Sequence, residues 1–420
     1  MADVTAVIDS RQQANAVPAA HARGAGRPVL TWMTVACALG SLPAGAAELQ
    51  SEREEGFGVR LSQSVRWEDN VFRLPDGERP VDGGSKSDRT SRSSVGVTFD
   101  HMYGLQRLVA ALDVVRRSYA EHDELDSTTK SGVLRWDWAT GKQWTGTAQL
   151  LRREAPRSFD DIDRRVRSIN TLQRAGVSAD YWLHPDWSIL AGAERTRSRY
   201  SDERSAASEY DETAVEAGAG FRPKSGNRLS LVLRSADGEY PNRTATATRD
   251  REYTQRDVRL RGDWTLSGIS KLSGYAGYTD REHPTVSSLD FSGPTGRLAF
   301  DWRPTGKLSF QVVARREIGS EHEVVDNFVL TRGLGLEAAW ATSDKVTLIA
   351  RAERVKRDHG DRSLSSLDED RRRTYGLSVD YQPLRTVTLG ASALRVERSA
   401  EGSAFDYTAN IYGVDLKLEF

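Results

Sequence analysis

The chain has 420 residues, with Lys+Arg 59 against Asp+Glu 60 and a formal net charge of -1. That balance excludes the basic excess of a nucleic-acid binder. Hydrophobic residues make up 38% and mean hydropathy is -0.57, which excludes a helical membrane protein. A single Cys excludes intrachain disulfides and thiol-ligated metal centres.

Residues 1–46 read as an address. Arg23 and Arg27 precede an uncharged run from Pro28 to Ala47. Its apolar part, Val29 to Leu42, has the length of a signal-peptide core and is short for a bilayer span. Ala44-Gly45-Ala46 offers a cleavage site, and the stretch ahead of Arg23 makes an extended n-region. An uncleaved anchor helix is the other reading of this run. Cys37 falls inside the leader, so the exported chain has no cysteine, which suits a bacterial envelope.

Beyond the leader, turn-forming clusters recur about every 38 to 44 residues. They are Tyr103-Gly104, Thr140-Gly141-Lys142, His184-Pro185-Asp186, Lys224-Ser225-Gly226-Asn227, Ser267-Gly268, Pro304-Thr305-Gly306, Thr342-Ser343-Asp344 and Gln382-Pro383. Longer polar stretches alternate with them, near 74–91, 122–129, 155–167, 201–209, 241–252, 281–287, 319–325, 358–370 and 399–404. The segments between connections alternate with period two. Val95, Val97 and Phe99 oppose Ser94, Gly96, Thr98 and Asp100. Leu134, Trp136 and Trp138 oppose Arg135 and Asp137. Val258, Leu260, Trp264 and Leu266 oppose Asp257, Arg259, Arg261 and Asp263, and Leu308, Phe310 and Val312 oppose Ser309 and Gln311. This is the dyad of a sheet with one dry and one wet face. The runs Ile269 to Tyr278 and Val387 to Val396 are less regular.

Eight tight turns and two ends imply about eighteen strands of about 11 to 15 residues, long for a soluble sheet and suited to a tilted membrane strand. Short turns, longer loops and an even strand count predict an all-β fold, a transmembrane antiparallel up-and-down β-barrel behind a cleavable signal peptide. Residues 47–56 form a short periplasmic lead-in and 57–420 the outer-membrane barrel. Trp138, Trp144, Trp187, Trp264, Trp302, Trp340 and Tyr381 cluster near tight turns; Tyr119, Tyr200, Tyr210, Tyr240, Tyr253 and Tyr278 lie toward the long loops. Both groups read as interfacial girdles. A soluble β-propeller also has a period near 40, but its blades need four short strands where two long ones are found.

The last residues alternate strictly, with Tyr412, Val414, Leu416, Leu418 and Phe420 on one face. This resembles the terminal strand of Gram-negative outer-membrane proteins, and the resemblance implies recognition by the barrel assembly machinery. Lipid offers no hydrogen bonds to a free edge, so this strand is expected to pair with the first, near Phe57-Gly-Val-Arg-Leu61. The opening stretch, Leu61-Ser-Gln-Ser-Val-Arg-Trp-Glu-Asp-Asn-Val-Phe-Arg-Leu-Pro-Asp-Gly77, resembles the EpsL-type outer-membrane barrels of exopolysaccharide biosynthesis operons. What that implies is a conduit or accessory role in polysaccharide export, with the export components and an exopolysaccharide as partners and with no catalytic residues. From the residues alone, Asp69 to Gly77 is a polar exit from the first strand.

Parity places Arg60, Arg66, Arg135, Arg153, Arg228, Arg234, Arg259, Arg261, Arg315 and Arg351 in the lumen, as candidates for a polymer or anion path. Asp100, Asp137, Asp180, Glu194, Glu216, Asp263, Asp301, Glu337 and Glu353 share that interior, so a lumen stiffened by ion pairs without selectivity is the plainer alternative. No phosphate loop, metal motif or cofactor motif is present. A barrel-rim enzyme built on His122 or His359 lacks a partner, because the adjacent Asp123 and Asp358 point to the opposite face of a strand. The transport readings are therefore two: exopolysaccharide export, or a general porin for small solutes. The loop from Arg73 to Arg92 stands either outside or inward as a plug.

Overall fold

The computed structural model describes residues 56–78, 80, 84–159, 166–319, 329–359, 369–400 and 406–420. The expected leader and most of the lead-in, His322, part of the 73–92 loop and the His359 side chain lie outside the described residues.

Eighteen strands follow in chain order. They are β1 (Gly56–Glu68), β2 (Asp88–Tyr103), β3 (Gln106–Tyr119), β4 (Ser127–Thr140), β5 (Trp144–Pro156) and β6 (Ile169–His184). Then come β7 (Trp187–Tyr200), β8 (Tyr210–Phe221), β9 (Arg228–Glu239), β10 (Glu252–Ser267), β11 (Ser270–Glu282) and β12 (Phe291–Trp302). The last are β13 (Leu308–Gly319), β14 (Val329–Ala341), β15 (Val346–His359), β16 (Glu369–Leu384), β17 (Val387–Ala400) and β18 (Tyr407–Glu419). Every neighbour is antiparallel, and β1 pairs with both β2 and β18, so the sheet is a closed ring. The expected closure is in register from Arg60↔Glu419 to Glu68↔Ile411. Val59 and Phe420 exchange backbone hydrogen bonds at 3.0 and 2.9 Å. Among the described residues the helical content is three short 3-10 turns, Asp123–Leu125, Glu203–Ser208 and Ser287–Leu289.

The eight expected tight turns lie at one end and the long loops at the other. Gly104, Gly141 and Gly226 adopt φ of 64°, 63° and 79° in three of the turns, a backbone region that costs a side chain dearly.

The two faces of the sheet differ as the dyads require. Leu112, Leu134, Leu150, Val177, Leu231, Leu260, Leu336 and Leu377 point outward, with Leu377 67% exposed. These rows form an apolar belt, and no outer layer among the described residues covers it. A ring of hydrogen-bonded strands with greasy side chains outside satisfies its backbone internally, the condition hydrocarbon imposes. Trp136, Trp144, Trp187, Trp302, Trp340 and Tyr381 border the belt at the turn end.

At the loop end the aromatic expectation needs correction. Tyr278 points outward, but Tyr210, Tyr240 and Tyr253 are buried together, with successive ring centroids 6.3 and 6.1 Å apart. Tyr253 shares the inward parity of Asp257, and that parity outweighs its nearness to the loop. The irregular run at Val387 to Val396 also has a cause. Leu389 faces outward while Leu394 and Val396 face inward against Tyr407 and Ala409, so both faces are apolar and alternation is lost.

Candidate functional site: the charged lumen

The inward arginines alternate with outward positions on their strands, and at Arg60, Arg66, Arg135, Arg259 and Arg351 both neighbours are apolar, which turns the charged side chain to the interior. Most meet a carboxylate there. Arg60 reaches Asp113 at 3.2 Å, Arg135 reaches Asp137 at 2.7 Å and Arg228 reaches Asp180 at 2.7 Å. Arg261 pairs with Glu216 at 2.6 Å, Arg315 with Glu353 at 3.1 Å and Arg351 with Glu337 at 2.6 Å. Glu194 lies 3.6 Å from Arg174, Asp263 3.2 Å from Lys271 and Asp100 2.5 Å from Arg107, while Asp301 accepts from Gln311 at 2.8 Å. Arg66 and Arg153 make no ion pair among the described residues.

The densest part lies on the wall from β8 to β11. Asp257 accepts from Thr279 Oγ1 at 2.5 Å, Gln255 Nε2 at 3.0 Å, Arg259 Nη2 at 3.0 Å and Arg234 Nη1 at 3.3 Å. Arg234 also donates to Glu212 at 2.7 Å, and Tyr253 Oη donates to the other oxygen of Glu212 at 2.5 Å. Arg281 donates to Gln255 Oε1 at 2.6 Å and stacks 4.0 Å from the Tyr253 ring centre. The Tyr253 ring lies against Gly238, where a Cβ would come within 2.1 Å of it. Arg259 stacks 5.0 Å from Tyr275, whose hydroxyl donates to Glu317 at 3.1 Å. A carboxylate that accepts from several charged and neutral donors is held rigidly, and loss of one donor leaves charge without its partner.

These side chains surround a lumen cavity of about 80 Å³. Arg174, Arg234, Arg259 and Arg281 line it together with Glu194, Glu212 and Glu216. A space of this size holds a few water molecules. Four cations against three carboxylates leave the lining close to neutral.

The inward aromatics were missed from the sequence, although parity could have found them. Tyr253, Gln255, Asp257 and Arg259 alternate along one face of β10. Trp182 is another case, sharing the parity of Asp180. It is buried inside the turn end, its indole nitrogen donates to Thr145 at 2.9 Å, and Arg222 stacks on it at 3.8 Å.

The loop end is tied together by short carboxylate and amide latches. Asp88 accepts from the backbone nitrogens of Ala120, Glu121 and His122 at 3.0 to 3.2 Å. Asp250 accepts from the amide and hydroxyl of Thr285 at 2.7 and 2.9 Å. Burial pushes the Asp250 carboxyl up, but the hydrogen bonds from Thr285, Arg251 and Val286 outweigh this and hold it below the ordinary range. Burial, reinforced by the Arg281 charge, pulls the His283 imidazole down despite Asp290 at 3.5 Å.

The stretch from Asp69 to Leu74 is a compact corner. Asp69 accepts from the backbone and side-chain nitrogens of Asn410, both at 2.7 Å. Asn70 donates to the carbonyls of Leu74 and Thr408 at 2.7 and 3.1 Å and accepts from the Leu74 amide at 2.9 Å. Arg73 sits at φ 56°, a strained conformation for a non-glycine residue, and its guanidinium bonds to Glu68 and to the Asn70 carbonyl. Val71 and Phe72 pack against Leu125, Phe159 and Tyr119. The described part of the 73–92 loop is thus held by the Val71 amide bonded to the Lys86 carbonyl at 2.8 Å, and is pinned to the neighbouring loop by Asp88. His122 is buried in this corner, 4.6 Å from Phe72 and with Nε2 3.1 Å from the Ser85 carbonyl. His359 ends β15, on the far side of the β1–β18 seam. The structure does not bring the two histidines together.

Residues 269–420 match the family model described as "Putative beta-barrel porin 2". That span holds β11 to β18. A comparison with curated protein sequences finds no match. Among solved structures, a BenF-like porin from Pseudomonas fluorescens Pf-5 is 10% identical, with a TM-score of 0.46 over 87% of this chain and 99% of its own. Pseudomonas aeruginosa OccK2 (OpdF), in complex with glucuronate, is 12% identical, with a TM-score of 0.47 over 87% and 98%. Pseudomonas aeruginosa OpdQ is 11% identical, with a TM-score of 0.47 over 88% and 100%. At these values no residue role and no solute carries over to this chain. The closed ring, its bare apolar belt and the porin model over its second part make this chain a porin-like β-barrel of the Gram-negative outer membrane.

Proposed function

We propose that the barrel is a diffusion channel for small polar solutes. The observation that carries this reading is the lumen cavity lined by Arg174, Glu194, Glu212, Arg234, Arg259 and Arg281. The charges of its lining nearly balance, and ion pairs such as Arg234–Glu212 and Arg174–Glu194 tie them to the wall. In this reading Arg66 and Arg153, inward and outside the ion pairs, supply a positive field for anions, and the paired arginines act as struts.

The exopolysaccharide reading rests on the stretch from Leu61 to Gly77. That stretch has a local task in joining the two ends of the ring, through Asp69 to Asn410 and Asn70 to Thr408. No observation on the lumen favours a polymer. A rim enzyme on His122 has no support in the corner where that residue is packed. The alternating face of Tyr412, Val414, Leu416, Leu418 and Phe420 remains our proposed signal to the assembly machinery.

The test is current through the purified full chain in planar bilayers. Stepwise small-ion conductance is expected, with no block by charged oligosaccharides of several units. A heat-modifiable, inserted barrel that passes no current overturns the reading. Loss of secreted polymer on deletion of the gene would restore the export role.

A further inference from the structure

We propose that the outward face of β13 to β16 at the loop end binds the phosphate groups of a phosphorylated glycolipid in the outer leaflet. This rests on the outer-membrane placement but not on any solute passing through the lumen.

The apolar outward rows of these four strands stop abruptly and give way to cations. On β14 the row Leu336, Leu334 continues into Arg332, and on β16 the row Leu377, Tyr375 continues into Arg373 and Arg371. On β15 the alanines of the row give way to Arg354 and Lys356, and on β13 Ala314 gives way to Arg316. Pairing sets four of these cations side by side: Arg316↔Arg332, Arg332↔Lys356 and Lys356↔Arg371. A second like-charged pair, Arg354↔Arg373, lies one dyad nearer the belt. Like charges directly opposed across strands destabilise a sheet. A row of them is kept at low cost only where an anion sits over it.

The described residues of the patch do not supply that anion in full. Among them, six outward cations face two outward carboxylates, Asp358 and Glu369. Asp358 reaches Arg332 at 3.1 Å and Lys356 at 3.6 Å, and Glu369 bonds to Lys356 and to Arg371, the latter at 2.8 Å. Arg316, Arg354 and Arg373 make no ion pair among the described residues, and Arg354 and Arg373 are exposed. The charge of this end also varies around the ring. At the same end, the outward positions of β8 to β11 carry six carboxylates and one cation, Arg256. A general bias toward basic rims would not produce that contrast.

The chemistry of the occupant follows. It must be anionic, must lie at the height where the apolar belt ends, and must carry acyl chains to lie against Leu377 and Leu334 below. Guanidinium forks bind phosphate through paired N–H donors. A phosphorylated glycolipid meets all three conditions, whereas a free anion meets only the first.

The experiment uses the full-length barrel refolded in vesicles and scored first for heat-modifiable mobility. Diphosphorylated lipid A, its dephosphorylated form and inorganic phosphate are titrated separately. The wild type is expected to bind the diphosphorylated lipid at least about tenfold more tightly than the dephosphorylated one, with inorganic phosphate a weak competitor. The triple variant R354Q/R371Q/R373Q is expected to lose that preference, whereas D237N/E239Q/E282Q on the acidic arc keeps it. Equal binding of the two lipids by the wild type overturns the proposal whatever the variants do. A folded triple variant that retains the preference overturns it as well. If the triple variant instead converts an oligomer to monomers without changing lipid binding, the patch is a contact between barrels and the proposal fails.

Discussion

Asn70 Nδ2 donates to the backbone carbonyl of Thr408 at 3.1 Å, across 338 residues of chain. This bond joins the exit of β1 to the beginning of β18, the two strands that close the ring. Asn70 is 1% exposed, and its amide also closes the corner through Leu74. The seam therefore carries a side-chain latch in addition to its ladder.

Replacing that amide should weaken the seam first. Asn70→Ala leaves buried carbonyls without donors, a loss of about 1–3 kcal/mol. The folded band on a heat-modifiable gel is expected to disappear at a lower temperature, while Gln63→Ala on the exposed face of β1 leaves it in place. An unchanged transition for Asn70→Ala would mean that the ladder alone holds the ring.

Lumen charge should govern selectivity. Arg234 holds Glu212 and Asp257 together, so Arg234→Ala removes one cation and leaves Glu212 facing the cavity without it. Conductance is expected to rise and the reversal potential in a salt gradient to move toward cation selectivity. Glu216→Gln, which removes a carboxylate from Arg261, should move it the other way. Identical reversal potentials in all three proteins would show that these residues stand clear of the ion path.

Gly238 is a packing requirement. A side chain there meets the Tyr253 ring, which in turn positions Glu212 and Arg281. Gly238→Leu should cost about 1–3 kcal/mol through overpacking and should alter the conductance at the same time. Tyr253→Phe keeps the ring and removes only the bond to Glu212, so its effect on stability should be the smaller of the two. If Gly238→Leu matches the wild type in both measurements, the ring is free to move aside.

Acid should loosen one pair of loops before it opens the barrel. Both Asp250 and His283 have depressed values in the fold, so each contributes stability that is complete above its ordinary value and is lost as pH falls through the folded one. For His283 the loss begins as pH drops below 6.5, and for Asp250 it begins below 3.8. Amide exchange at Thr285 and Val286 should be slow at neutral pH and quicken in these two steps. Asp250→Asn should raise their exchange about tenfold at neutral pH and remove the lower step. Exchange independent of pH after correction for the intrinsic rate would refute the latch.

Strand number, ring closure and the sidedness of the charged rows were all legible in the sequence. The reason is that a two-residue period ties every side chain to one of two environments, and hydrocarbon tolerates no charge on its side. Arg60, Arg135, Arg259 and Arg351 could be assigned to the interior from their neighbours alone. The period was uninformative at Leu394 and Val396, where both faces are apolar.

Only the folded ring decided which inward groups meet. Asp257 gathers donors from β9, β10 and β11, and Glu212 joins Arg234 to Tyr253, contacts set by register and by curvature around the ring. Parity says that a residue faces the lumen but not which residue on another strand lies at its height. The corner from Asp69 to Leu74 shows the same division. Its polar residues announce a loop, but their partner strand lies at the opposite end of the chain, and only closure brings it within hydrogen-bond reach.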